Sequence, residues 1–327
     1  MRRRRVLTGM ASVAAAIPWH SALALAQATQ PKIPRVGYLW FGAQGTDGEI
    51  MPGFQKGLAM LGYVEGRNIL IEYRYLGGDY DRAPAAVDEL TALKVELFVA
   101  TSAAIVRIAM TRGGGIPIVG LSSDPVGLGF AQSLARLAGI VTGVSMLEFD
   151  QYQLRALQLL KETVPNIRRV AVLRAVDRPS STRLIQAGKS IAIEVMPFQA
   201  NSLPELRAAL DAIHRAGVDA LMMLATPVYA TYRKDIIAFV NRHRLPAIYG
   251  NPEFTDDGGL MVYGPSFFAM SRRLASFVDR ILKGAKPAEL PIEQAVQFDF
   301  KINVKTAKDL GLNVPALMLQ QATEVIE

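Results

Sequence analysis

Val95-Glu96-Leu97-Phe98-Val99-Ala100-Thr101 and Val218-Asp219-Ala220-Leu221-Met222-Met223-Leu224-Ala225-Thr226 are one short text written twice: an acid, an apolar run, then alanine and threonine. Each is followed by a helical segment and a second short apolar run, Ile116-Pro117-Ile118-Val119 in the first half and Leu245-Pro246-Ala247-Ile248-Tyr249 in the second. The openings agree as well, Arg35-Val36-Gly37-Tyr38-Leu39 against Arg169-Val170-Ala171-Val172-Leu173. Matches in the same order predict two α/β lobes built on one plan. Two like lobes facing each other make a cleft, and function is expected there.

The pattern extends outward from these stretches. Strands are expected at Val36 to Phe41, Ile69 to Tyr73, Leu97 to Ala100 and Ile116 to Leu121, and again at Val170 to Leu173, Ile193 to Phe198, Ala220 to Leu224 and Ala247 to Tyr249. Helical spacing of Phe54, Leu58 and Leu61, and of Ala86, Leu90 and Leu93, places a helix after each early strand. Later helices are expected near Gln151 to Thr163, Ser180 to Ser190, Leu203 to Ala216 and Tyr229 to His243. This alternation is the signature of parallel βα units. Val141 to Met146 and Gly259 to Tyr263 fall where the chain should pass between lobes. A helix over Pro265 to Leu282 and a strand over Val296 to Ile302 should cross back. The fold class is therefore α/β, two Rossmann-like lobes with parallel sheets joined by about three hinge crossovers. The expected division is residues 33–145 plus 264–288 in lobe I and 146–263 plus 289–327 in lobe II.

At 327 residues, half of them hydrophobic, the chain can bury two cores of ordinary domain size. Its formal charge of +7 owes four basic residues to the run Arg2 to Arg5; the remaining 32 face 29 acids. That near balance, without a basic cluster, argues against a nucleic-acid surface. Residues 1–28 have the parts of a cleaved export signal: the arginine run, an apolar stretch from Val6 to Ile17, and small residues at Ala22, Ala24, Ala26 and Ala28. The run Arg3-Arg4-Arg5-Val6-Leu7 resembles a twin-arginine signal. A dozen apolar residues fall short of the roughly 20 that span a bilayer. With no cysteine, disulfides and a lipid-modified N-terminal cysteine are excluded. A periplasmic monomer is expected.

In a parallel sheet the loops after the carboxyl ends of the strands are the default ligand site, because helix N-termini converge there. That rule selects Trp40, Thr101, Ser102, Ala103, Ser122 and Asp124 from the first lobe, and Thr226, Tyr249 and Glu253 from the second. Thr101 and Ser102 precede a helix and fit an anion such as a carboxylate, although a hydroxyl there also serves as a plain N-cap. Trp40, Tyr229 and Tyr249 suit stacking on an apolar ligand, with core packing as the competing role. Glu253 or Asp124 would take an ammonium. Catalytic machinery is not expected: no nucleophile elbow, phosphate loop or dinucleotide fingerprint occurs. His214 and His243, far apart in sequence and both helical, read as surface residues, so neither a metal nor a cofactor is expected.

Several segments carry a family likeness: Gly62-Tyr63-Val64-Glu65-Gly66-Arg67-Asn68, Ser123-Asp124-Pro125-Val126, Val141-Thr142-Gly143-Val144-Ser145, Gly258-Gly259-Leu260-Met261-Val262-Tyr263-Gly264-Pro265-Ser266 and Asn303-Val304-Lys305-Thr306-Ala307-Lys308-Asp309-Leu310-Gly311-Leu312. With them, residues 34–327 resemble the bacterial ABC-transporter substrate-binding proteins of the tryptophan/tyrosine-binding type. The resemblance implies the type I periplasmic binding protein fold and a hinged receptor that delivers a small molecule to a membrane permease and its ATPase. It implies pocket roles for Thr101, Ser102 and Asp124, and more loosely for Thr226 and Glu253. One departure stands out. Where the family commonly has an Asn-Pro-Asn-rich loop, this chain has Arg174-Ala175-Val176-Asp177-Arg178-Pro179, a charged rim that raises an acidic solute as an alternative to an amino acid. Two other readings stay open: a ligand sensor of the same fold that signals to a membrane kinase, and a periplasmic hydrolase using paired carboxylates.

Overall fold

The computed structural model describes residues 32–122, 125–134, 139–145, 149–174 and 180–327. The expected signal at 1–28, Asp124, and the rim residues after Arg174 lie outside the described residues.

In chain order the strands are β1 (Arg35–Trp40), β2 (Leu70–Tyr75), β3 (Leu97–Ala100), β4 (Ile118–Ser122), β5 (Val141–Ser145), β6 (Arg169–Arg174), β7 (Glu194–Gln199), β8 (Ala220–Met223), β9 (Ala247–Tyr249), β10 (Met261–Pro265), β11 (Glu293–Gln294), β12 (Phe298–Asn303) and β13 (Glu324–Ile326). The helices are α1 (Ile50–Met60), α2 (Ala83–Ala92), α3 (Ala103–Arg112), α4 (Phe149–Thr163), α5 (Ser180–Ser190), α6 (Leu203–Ala216), α7 (Pro227–Thr231), α8 (Arg233–Arg242), α9 (Phe267–Leu282), α10 (Val304–Asp309) and α11 (Ala316–Gln321). One sheet has the order β11-β5-β4-β3-β1-β2, the other β13-β12-β10-β9-β8-β6-β7. The duplicated text therefore has a geometric counterpart: β4-β3-β1-β2 in one sheet matches β9-β8-β6-β7 in the other, and the repeated stretches are the equivalent strands β3 and β8. All pairings are parallel except β10 with β12. Such sheets are covered on both faces, which is why β3 and β8 are apolar and buried throughout.

Two expectations need correction and one is refined. Val141 to Ser145 and Gly259 to Tyr263 do lie where the chain passes between sheets, and they do so as paired strands: β5 pairs with β4 and β10 with β9, so their backbone groups are satisfied in the ladders. The late strand expected over Val296 to Ile302 starts two residues later, at Phe298, because the chain is still passing between sheets at Val296, which is 85% exposed. The helix expected over Tyr229 to His243 breaks at Tyr232, whose φ of −104° and ψ of 21° leave the α region. The chain thus changes sheets after β5, after β10 and between β11 and β12.

Local chemistry fixes the helices. Ser202 caps α6 by accepting from Glu205 N–H at 3.5 Å, Glu205 reaches back to accept from Asn201 N–H, one residue before the cap, at 2.7 Å, and Gly217 ends the helix in a left-handed stop at φ +60°. On the first sheet, α1 and α9 lie together through Gly53 and Gly57. A Cβ on Gly57 would stand 2.5 Å from Arg272 O and one on Gly53 2.4 Å from Phe268 O, so only glycine allows this approach. Behind these helices Tyr38, Phe54, Leu58, Leu274 and Phe277 form the core of one face. The opposite face runs without interruption into the second sheet, from Phe41, Val87 and Ile105 to Leu173, Leu206, Tyr229 and Val262. No helix among the described residues is long and apolar enough to cross a membrane.

Candidate functional site

The strand ends of the two sheets meet in a closed arrangement. A Cβ on Gly42, just past β1, would lie 2.9 Å from Thr231 Oγ1 at the end of α7, and one on Gly78, past β2, 2.8 Å from the Tyr232 hydroxyl. Gly48 adopts φ +52°, and a Cβ there would stand 1.6 Å from Glu253 Oε1. The loop after β1 therefore receives a carboxylate from the second lobe into a space that a side chain would fill. Next to it Lys301 of β12 holds Glu49 at 3.0 Å and Glu324 at 3.1 Å; the first of these pairs ties the lobes.

Thr101 and Thr226 follow the equivalent strands β3 and β8. Thr101, buried after β3, donates its hydroxyl to Leu39 O at 2.9 Å, tying β3 to β1. Ser102 caps α3, accepting from Ile105 N–H at 3.4 Å, and its hydroxyl also bonds the Tyr80 phenol. Thr226 caps α7, accepting from Tyr229 N–H at 3.1 Å, while its own N–H donates to Asn251 Oδ1 at 3.1 Å. Ala103 opens α3 and is partly buried. The hydroxyls are thus committed to caps and strand ties, and what the α3 terminus offers a ligand is lone pairs and first-turn N–H groups.

The aromatic candidates serve the interior. Trp40 is 2% exposed and donates its indole N–H to Thr46 Oγ1 at 3.0 Å, holding the following loop in shape; the cluster around it also takes Ala225 from the second lobe. Tyr249 is buried and stacked on Phe254 with centroids 4.3 Å apart. Tyr229 donates to Ala200 O at 3.1 Å. Ser122 lines a small hollow inside the first lobe with Val106, Phe130, Val141 and Ile292, its hydroxyl without a partner.

The electrostatics centre on carboxylates. Burial pushes the pKa of Glu253 up, and the nearby Glu49 charge adds to this against weaker support from its own backbone N–H, Arg233 and the Glu49 N–H. Its Oε2 is buried without a hydrogen-bond partner. Asp47, 6% exposed, is also pushed up by burial and has an unpartnered Oδ2. Burial opposes the charge on Lys301, but Glu49 and Glu324 outweigh it and raise its pKa. Two buried carboxylate oxygens without donors can accept an ammonium, and the first-turn N–H groups of α3 can receive a carboxylate.

Sequence reasoning missed Asp47, Gly48, Glu49, Tyr80, Tyr232 and Lys301. The strand-end rule pointed to the loop after β1, and carrying it past Phe41 to residue 49 would have found the first three. It also separated two residues that the fold brings together: the rings of His214 and His243 lie 4.1 Å apart, centroid to centroid, at the ends of α6 and α8. Among the described residues no group of three or more His, Cys, Asp or Glu is placed to hold a metal.

Comparisons with known proteins agree with this architecture. A family model described as ABC transporter substrate binding protein matches residues 45–326. A tyrosine-binding protein of Clostridioides difficile (strain R20291) is 22% identical over 266 residues, covering 80% of this chain and 76% of that protein. Among solved structures, a conserved domain protein from Vibrio cholerae is 22% identical with a TM-score of 0.81, covering 90% of this chain and 100% of its own. An ABC domain from Streptococcus pneumonia in complex with L-Trp is 23% identical with a TM-score of 0.80, covering 90% and 99%.

Proposed function

Because the chain belongs to the ABC transporter substrate-binding protein family, we propose that it captures an amino acid with an apolar, preferably aromatic, side chain between its lobes and presents the closed complex to a membrane permease. The observation that carries this reading is the Glu253 carboxylate, lodged against Gly48 of the opposite lobe with one buried oxygen lacking a donor. A buried carboxylate oxygen without a donor is costly, and a ligand ammonium removes that cost only when the lobes are closed. Closure is thereby coupled to occupancy. The first turn of α3, capped by Ser102, receives the ligand carboxylate. Tyr80 and Tyr232, partly buried at the joint, cover the side chain. The names of two relatives, one tyrosine-binding and one solved with L-Trp, favour an aromatic solute. Delivery follows export by the N-terminal signal, and the protein works as a single copy.

The test is calorimetric titration of the exported protein with L-tryptophan and L-tyrosine, alongside tryptamine and indole-3-propionate, which lack the carboxylate and the ammonium respectively. Each charge-assisted hydrogen bond contributes about 1.5–3 kcal/mol, so each truncated analogue should bind at least about tenfold more weakly. Indole-3-propionate binding as tightly as L-tryptophan would overturn the assignment of an ammonium site and favour an acidic solute instead.

A further inference from the structure

On the outer side of the first lobe, away from the cleft, lies a groove of about 530 Å³ between α1, α9 and the last change of sheet. Its walls are mainly apolar, with Met60, Leu61, Val144, Met270 and Val296 beside the polar Ser276, Gln294 and Gln297, and Met60 and Val296 are 66% and 85% exposed. Arg272 and Arg273 stand on its rim with a single carboxylate, Glu293. Glu293 grips Arg273 through two hydrogen bonds of 2.5 and 2.6 Å. Arg272 has no ion-pair or hydrogen-bond partner among the described residues. We infer that this groove is a second binding site, for a small amphipathic monoanion whose apolar body lies along Met60, Met270 and Val296 and whose carboxylate meets the Arg272 guanidinium.

The volume suits such a molecule, since small-molecule sites of roughly 300–1,000 Å³ are the norm, with apolar walls and few fixed polar groups. Guanidinium is the side chain best shaped for a carboxylate. The location adds a consequence. Ala295 donates to Ser145 O at 2.8 Å and Ser266 donates to Gln297 O at 2.9 Å, so the segment forming one wall of the groove bonds the ends of the other two changes of sheet. Glu293 and Gln294 of this wall belong to the first sheet, but Val296 and Gln297 lie on the change of sheet, so lobe opening shifts that part of the wall relative to α1 and α9. An occupant that fits the closed spacing therefore favours closure and raises affinity for the cleft solute, and the solute raises its affinity by the same factor. This coupling, unlike the binding, rests on the cleft reading proposed above.

The experiment is calorimetric titration of the full chain with octanoate and with octanamide, repeated on Arg272→Gln and on Val296→Asp, both at exposed positions. Octanoate should bind at least about tenfold more tightly than octanamide. Arg272→Gln should reduce octanoate to the level of the amide, and Val296→Asp should weaken both. Absence of octanoate binding, or binding that survives both substitutions, overturns the site. With saturating octanoate the cleft solute should bind more tightly in the wild type and not in Arg272→Gln; an unchanged solute affinity overturns the coupling. Octanoate titration needs no cleft solute, so failure of the amino-acid reading leaves its result separately legible.

Discussion

Replacing Glu253 by Gln separates the two roles its position implies, because the substitution should weaken solute binding while easing closure of the empty protein. The side chain keeps its shape against Gly48, where Oε1 occupies the place of the missing Cβ, but loses its charge. A ligand ammonium then meets a neutral carbonyl in place of a carboxylate. The loss of about 1.5–3 kcal/mol corresponds to a rise in Kd of about ten- to a hundredfold. The empty protein responds in the opposite sense. Burial first, and the Glu49 charge after it, raise the pKa of Glu253 in the closed form, whereas opening returns it toward the ordinary carboxylate range. The closed form therefore binds the proton more tightly. Its advantage is fully present below the open-form pKa and is lost as pH rises through the raised closed-form value, each unit of difference being worth about 1.4 kcal/mol, or tenfold in the ratio of closed to open. Glu253→Gln removes this dependence and leaves the closed form populated at higher pH. Titration calorimetry with L-tryptophan or L-tyrosine reads the first effect. Small-angle scattering of the empty protein across pH 4 to 8 reads the second, supported by the fluorescence of Trp40, the one tryptophan beyond residue 28. A Glu253→Gln protein that binds the amino acid as tightly as the wild type, or whose empty form opens over the same pH range, refutes the reasoning.

Lys301→Met removes the cation that joins Glu49 of one lobe to Glu324 of the other sheet; scattering should show a larger radius of gyration for the empty protein, and solute affinity should fall. Gly57→Ala sets a methyl group 2.5 Å from Arg272 O and 2.7 Å from Ala275 Cβ, so overpacking of about 1–3 kcal/mol should outweigh the helix propensity of about 1 kcal/mol gained, lowering the midpoint of chemical denaturation. Glu293→Gln cuts the pair with Arg273, which holds the Glu293 pKa below its usual range. This half-exposed pair should contribute no more than about 1 kcal/mol at neutral pH. Its contribution is present above the ordinary carboxylate pKa and fades as pH falls through the lowered value, so wild type and variant should converge in stability under acid.

The fold was legible because it is written in short-range pattern. Apolar runs such as Leu97 to Ala100 and Ala220 to Met223 belong to the middle of parallel sheets, and their recurrence in order announced two equivalent halves before any contact was known. Strand ends could be located to within a residue or two for the same reason. The places that misled were those where one pattern serves two uses. Trp40 reads as a stacking surface because it sits at a strand tip, yet its indole N–H and ring are taken up by Thr46 and the core. Nothing in a local pattern says which way a residue at a strand tip turns.

What the sequence concealed is the asymmetry between the halves. The duplicated plan supplies two similar rims, with hydroxyl caps at Ser102 and Thr226 in matching places, and a symmetric pair of rims has no reason to distinguish one end of a solute from the other. Under the proposed function the distinction arises in the loop after β1, where the positive φ at Gly48 and the absence of a side chain admit Glu253 from the opposite lobe, and where Asp47 and Glu49 stand beside it. Its partners come from β12 and from the short helical turn at Pro252–Phe254, remote in sequence and meaningful only once the lobes close. A polar anchor assembled from both lobes in this way is complete in one conformation alone. That is the property a receptor needs if its permease is to tell the loaded form from the empty one, and it follows from placing an acidic, glycine-hinged loop on one copy of a repeated unit.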